Sequence, residues 1–228
     1  MNTADIPEEA NKLHQQARQF GASGEYEKAI AALTQAQSLA PDWPYPPYDM
    51  AFTYLLMNDM EKAREFYEKT VELSPRGFFT ALTALDTLNR EASGEFPEGT
   101  YAAYMSLEWT QDPQQKSDIV NAFMERLPQF APAWKEYALQ CDNLPDKLEA
   151  IEKGLAAQPD LETKGMLLIN KALALSQQGD QAAAKEILGN LALDPNSSFQ
   201  ASTWQGKHWL WFWNKSDSVD SHCRRTPT

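Results

Sequence analysis

The sequence predicts an all-α fold, a right-handed α-α superhelix of about five helix pairs closed by an aromatic C-terminal helix. Two observations carry this. A pattern of small and aromatic residues returns after 34 positions, so that GEYEKAIAALTQAQSLAP is followed by NDMEKAREFYEKTVELSP. Each copy also holds two stretches of helical apolar spacing, divided by a turn and closed by proline. A unit of this length cannot bury its apolar side alone, so neighbouring units must stack.

The elements follow in order. Ala10, Leu13, Ala17 and Phe20 fall at steps of three and four, giving a helix over about 7–22. Gly24 marks the turn, and Ala29, Leu33 and Ala36 form the inner stripe of a helix over 26–39. Small residues at 17 and 29 allow the two backbones to approach closely. Pro41 and Pro44 stop propagation. A third helix is expected over 46–56, a turn at Asn58-Asp59, and a fourth helix over 61–73 closed by Pro75. A fifth is expected from Gly77 to about Arg90, with Ala81, Leu82, Leu85 and Leu88 on its apolar side.

Ser93-Gly94-Glu95-Phe96 repeats the first turn, but Pro97 then stands where the earlier copies have Ala29 and Ala63. The stretch 97–130 reads as two helices, 98–109 and 114–127, broken at Asp112-Pro113. It is either a long repeat with an inserted helix or the junction of two sub-arrays. Trp134, Tyr137 and Ala138 then belong to one helix, Leu148, Ile151 and Leu155 to its partner, and Pro159 ends the unit. The next unit has helices over 162–177 and 181–192, the turn Gln178-Gly179-Asp180 and a closing Pro195. The expected organisation is an array over 7–96, an irregular part over 97–130, a second array with a final helix over 131–213, and a disordered polar tail over 214–228.

These repeats resemble tetratricopeptide repeats. Small residues stand where the two helices of a unit cross, larger apolar or aromatic residues flank them, and proline ends the unit. The first unit supplies Leu13, Ala17, Phe20, Ala29, Leu33 and Pro41; the second supplies Ala51, Tyr54, Ala63, Tyr67 and Pro75. The last supplies Gly179, Ala183, Ile187 and Pro195, although Lys171 replaces the first small residue. The resemblance implies a non-enzymatic interaction scaffold whose first helices line a concave face for a protein or peptide. The candidate face is His14, Arg18, Tyr45, Tyr48, Asp49, Phe52, Phe79 and Thr83. One subgroup of the family grips a C-terminal carboxylate with lysine, asparagine and arginine. This chain departs from that set: His14 and Arg18 replace Lys and Asn, Asp49 replaces Asn, and Phe79 and Thr83 replace the basic pair. Aromatic residues in such a face either receive a partner or pack between units.

Composition narrows the choice of partner. With 32 acidic and 20 basic residues the formal net charge is -12, which disfavours nucleic acid and anionic membrane surfaces. No secretory leader and no membrane-length apolar run is legible, so a cytoplasmic location is expected. Neither HExxH nor CxxC occurs, and no cofactor or metal is expected. Cys141 reads as a small packing residue rather than a nucleophile.

The aromatic stretch with Trp204, Trp209, Trp211 and Trp213 leaves three readings open. It caps the last hairpin, it forms an interface with a second copy or another protein, or it begins a further repeat. The second makes the alternative function a structural, homo-oligomeric subunit.

Overall fold

A computed structural model of the chain describes residues 6–198 and residue 201. Among the described residues are eleven α-helices and no strand. They are α1 (Glu8–Ala22), α2 (Tyr26–Leu39), α3 (Tyr45–Leu56), α4 (Met60–Leu73), α5 (Ala81–Ala92), α6 (Thr100–Trp109), α7 (Pro113–Arg126), α8 (Ala131–Gln140), α9 (Leu144–Ala156), α10 (Leu161–Gln177) and α11 (Gln181–Leu193). The pairs α1/α2, α3/α4, α8/α9 and α10/α11 are tight antiparallel hairpins, each stacked on its neighbour to form the α-α superhelix.

The same turn joins the two helices in four places. Glu25, Asp59, Glu95 and Asp180 each donate their backbone N–H to a carbonyl five residues earlier, on Phe20, Tyr54, Arg90 and Leu175, each at 2.9 Å. This bond satisfies an orphan carbonyl at the helix end and requires a left-handed residue before the donor. Gly24 supplies it at φ 74°, and 34 positions later Asn58 does so at φ 60°.

Small residues set the crossing of the first hairpin, as their spacing implied. Ala17 and Ala29 are almost wholly buried, and the core there is completed by Leu33 and Met50. The largest core runs from α3 to α8 through Tyr67, Tyr101, Val120 and Phe130. It ties the irregular stretch to both flanking arrays.

Most boundaries fall within two residues of those expected, but one differs by a full turn. The fifth helix begins at Ala81 and not at Gly77. Gly77 at φ 99° and Phe79 at φ 51° are both left-handed, and a right-handed helix cannot run through them. The extended entry lays Phe78 and Phe79 against α3.

The superhelix also bends back on itself, since α10 packs against α5. Thr80, the residue before α5, makes no side-chain cap bond. The carboxylate of Glu162 takes that role, accepting N–H groups from Phe78 at 3.1 Å, Leu82 at 3.1 Å and Thr83 at 3.2 Å. Asp160 caps α10 through the N–H groups of Glu162 and Thr163, and also accepts the Thr83 hydroxyl at 3.0 Å. Two helix N-termini therefore meet over two acidic side chains, whose oxygens take up the free N–H groups of both. Burial is the main influence on Glu162, pushing its carboxyl up to about 8 against the pull of the N–H donors. Arg90 and Arg76 strengthen the closure by donating to the carbonyls of Gln158 at 2.9 Å and Ser197 at 3.1 Å.

A candidate aromatic groove

The helical step of four places Tyr48, Phe52 and Leu56 on one face of α3. Around them the structure gathers rings from four separate segments. Tyr45 meets Phe78 edge-on at 4.7 Å and Phe79 at 5.7 Å. Tyr48 meets Phe78 at 5.5 Å, Phe79 at 5.3 Å and the buried Tyr67 at 5.8 Å. Phe52 lies 6.1 Å from Trp109, at the end of α6. The separations and edge-on angles are those favoured by ring quadrupoles.

The strip is anchored at its base and open at its ends. The Tyr48 hydroxyl shares a 3.0 Å hydrogen bond with Thr80. Burial raises the Tyr48 phenol above its ordinary range, and the carboxylates of Glu108 and Asp49 add to this. Phe79 remains 45% exposed, Trp109 52% and Leu56 38%. Large apolar side chains left this open along one strip are the kind of surface that receives a partner.

The remaining expected residues divide. His14 is buried, with Nε2 2.7 Å from Asp49 Oδ2 and its ring edge-on to Trp43 at 4.9 Å. That pair holds α1 to α3 and leaves Asp49 partly open. Arg18 is exposed on α1, one turn beyond His14. Thr83 is 5% exposed and its hydroxyl is spent on Asp160. It belongs to the closure of α5 on α10 rather than to the open strip. Trp204, Trp209, Trp211 and Trp213 lie outside the described residues.

Sequence reasoning missed Trp43, Phe78, Trp109 and Glu162. Trp43 and Phe78 adjoin the prolines and glycine that end a unit, where the period in the sequence gives no direction for a side chain. Trp109 lies in the irregular stretch, which the repeat pattern did not orient.

Among the described residues, no three His, Cys, Asp or Glu side chains gather to hold a metal, and no helix is long and apolar enough to cross a membrane. Cys141 donates to the Tyr137 carbonyl at 3.4 Å, and burial pushes its thiol up, away from the reactive thiolate.

Residues 22–76 match the family model described as tetratricopeptide repeat. No curated protein matches the chain in sequence. Among solved structures, MamA 41-end from Desulfovibrio magneticus RS-1 is 16% identical with a TM-score of 0.39, over 81% of this chain and 93% of that one. TTC0263, a thermophilic protein of Thermus thermophilus, is 16% identical with a TM-score of 0.36, over 88% and 99%. The TPR2AB-domain:pHSP90 complex of yeast Sti1 is 19% identical with a TM-score of 0.36, over 92% and 85%. At these TM-scores the likenesses add nothing to the geometry above. The segment that matches the tetratricopeptide-repeat model, residues 22–76, is the one in which the turn at Gly24 returns at Asn58 and the first two hairpins stack.

Proposed function

We propose that the chain is a non-enzymatic scaffold that holds a peptide or partner helix in the groove formed by Tyr45, Tyr48, Asp49, Phe52 and Phe79, with Trp109 beside Phe52. The observation that supports this reading is that two sets of rings, Tyr45/Tyr48/Phe78/Phe79 and Phe52/Trp109, meet on α3 with Phe79 and Trp109 about half open. Aromatic side chains give large contact area at little entropic cost. The partner presents apolar side chains to this strip. A free C-terminal carboxylate is disfavoured, because Asp49 and Glu108 both lie near Tyr48.

The test compares capture from native extract by the parent chain and by the double variant Phe79→Asn/Trp109→Ala, followed by measured affinity for the protein recovered. Both positions are open, so folding persists, as circular dichroism will verify. Affinity falls by about tenfold or more, the scale of losing aromatic anchors. Equal affinity of parent and variant would move the site away from this groove.

A further inference from the structure

Phe79 stands in a conformation that its own side chain does not favour. At φ 51° it is left-handed, and a large residue keeps that setting only where its surroundings impose it. The segment that carries it, 77–80, lies between α4 and α5 and belongs to neither.

Two sides hold this segment. From the groove, the Tyr48 hydroxyl shares its hydrogen bond with Thr80, and the rings of Tyr45 and Tyr48 meet those of Phe78 and Phe79. From α10, the Glu162 carboxylate spans it. Oε2 accepts the N–H groups of Leu82 and Thr83, at the second and third positions of α5, which is all that a helix cap requires. Oε1 does something further: it accepts the N–H of Phe78, which precedes the helix. One side chain therefore fixes the backbone on both sides of Phe79. The same Oε1 would stand 2.7 Å from a Cβ on Gly77, so the carboxylate is also pressed against the residue before. Gly77 is buried and Glu162 is 4% exposed, so water does not compete for these bonds.

We propose that Glu162 is a positioning residue of the aromatic groove: through Phe78 and the start of α5 it holds Phe79 in its left-handed setting, so the shape of the groove depends on the closure of α5 on α10. The consequence for binding rests on the reading of the strip as a groove; the coupling itself does not. By linkage the dependence runs both ways. A partner that grips Phe79 favours the closed array, and an opened array binds that partner less well.

The test reads Phe79 directly and needs no partner. 4-Trifluoromethylphenylalanine is placed at position 79 of the full chain, where the open ring leaves room, and in a separate preparation at position 52. Fluorine NMR follows each label in the parent, Glu162→Ala, Glu162→Gln and Tyr104→Phe chains, with circular dichroism to verify folding. In Glu162→Ala the resonance at 79 moves toward its position in urea and narrows, as the ring leaves Tyr48, while the resonance at 52 stays. Glu162→Gln keeps one acceptor oxygen, and its resonance at 79 falls between parent and alanine variant. Tyr104→Phe removes hydrogen bonds to Lys135 and Glu136, away from α5 and α10, and moves neither label. An unmoved resonance at 79 in whichever Glu162 variants fold would overturn the proposal and leave Glu162 as a cap of α5 alone. Equal movement in Tyr104→Phe would overturn it as well, by showing general loosening. A partner recovered by capture separates the two readings. Equal affinity for parent and Phe79→Asn/Trp109→Ala sinks the groove, while the fluorine signal still upholds the coupling. For a partner that does need Phe79, Glu162→Ala lowers affinity by about tenfold, as for a lost anchor. Unchanged affinity there would overturn the proposal.

Discussion

The carboxylate of Glu162 accepts the backbone N–H of Thr83 at 3.2 Å across 79 positions of sequence, so that one helix hairpin supplies the N-terminal cap of another. Removing that carboxylate strands the N–H groups of Phe78, Leu82 and Thr83. We expect Glu162→Ala to lower unfolding free energy by about 1–3 kcal/mol, the cost of unsatisfied buried donors. Urea denaturation measures it.

The same residue gives a pH dependence of defined sign. Burial holds its carboxyl at about 8 in the folded chain, against an ordinary value of 4.5. Between those values the folded chain keeps a proton that the unfolded chain has released. Its contribution is therefore complete below the lower value, declines as pH rises through the window, and levels off above about 8. Glu162→Gln cannot titrate, so the variant's stability loses this slope relative to the parent. Parallel pH profiles of melting temperature for parent and variant would contradict the assignment.

The proposed role of Phe79 in binding can be tested apart from folding. Its φ of 51° is costly for a large side chain, and asparagine tolerates that conformation well. Phe79→Asn should keep stability within about 1 kcal/mol of the parent, because the relieved strain offsets lost ring contacts. Chemical denaturation checks this without any partner in hand. A much larger loss would make the ring a packing element of the array.

Asn58 tests the repeated turn. It adopts φ 60° at the position held by Gly24 one repeat earlier. Asn58→Gly should be nearly neutral, whereas Asn58→Val should cost about 1–2 kcal/mol, since a β-branched residue resists the left-handed region. The thermal midpoints of the two variants must fall in that order.

Tyr104 joins the irregular stretch to the second array. Its hydroxyl accepts from Lys135 Nζ at 2.9 Å and donates to Glu136 at 3.1 Å. Burial raises the phenol to about 12, so it stays neutral and able to donate. Tyr104→Phe should cost about 1–2 kcal/mol, as both charged partners lose a hydrogen bond. A double-mutant cycle with Glu136→Gln would show coupling.

Much of this architecture was legible because it is local. Ala17, Ala29, Ala51 and Ala63 sit where a 34-residue period puts them, and the ends of α2 match the positions read from Tyr26 and Leu39. Half of the groove was equally accessible, since Tyr48 and Phe52 share a face by helical spacing alone. The rest depends on geometry that no period encodes. The start of α5 was misplaced because Phe79, a disfavoured residue for a left-handed turn, adopts one. Thr83 read as a groove residue, yet it faces Asp160, 77 positions away. Trp109 required knowledge of how α6 leaves the regular array.

The meeting of α5 with α10 changes how the chain must fold. In an array whose units touch only their neighbours, stability is a sum of local terms, and unfolding can fray inward from either end. Here Glu162 and Asp160 reach back across α6–α9, so loosening the last hairpin withdraws a cap from α5. Such a contact closes a loop of about eighty residues, and the entropy of that closure has to be met before the cap contributes anything. The expected behaviour is a slower, more all-or-none transition than the repeats alone would give, with contact order rather than repeat number setting its rate.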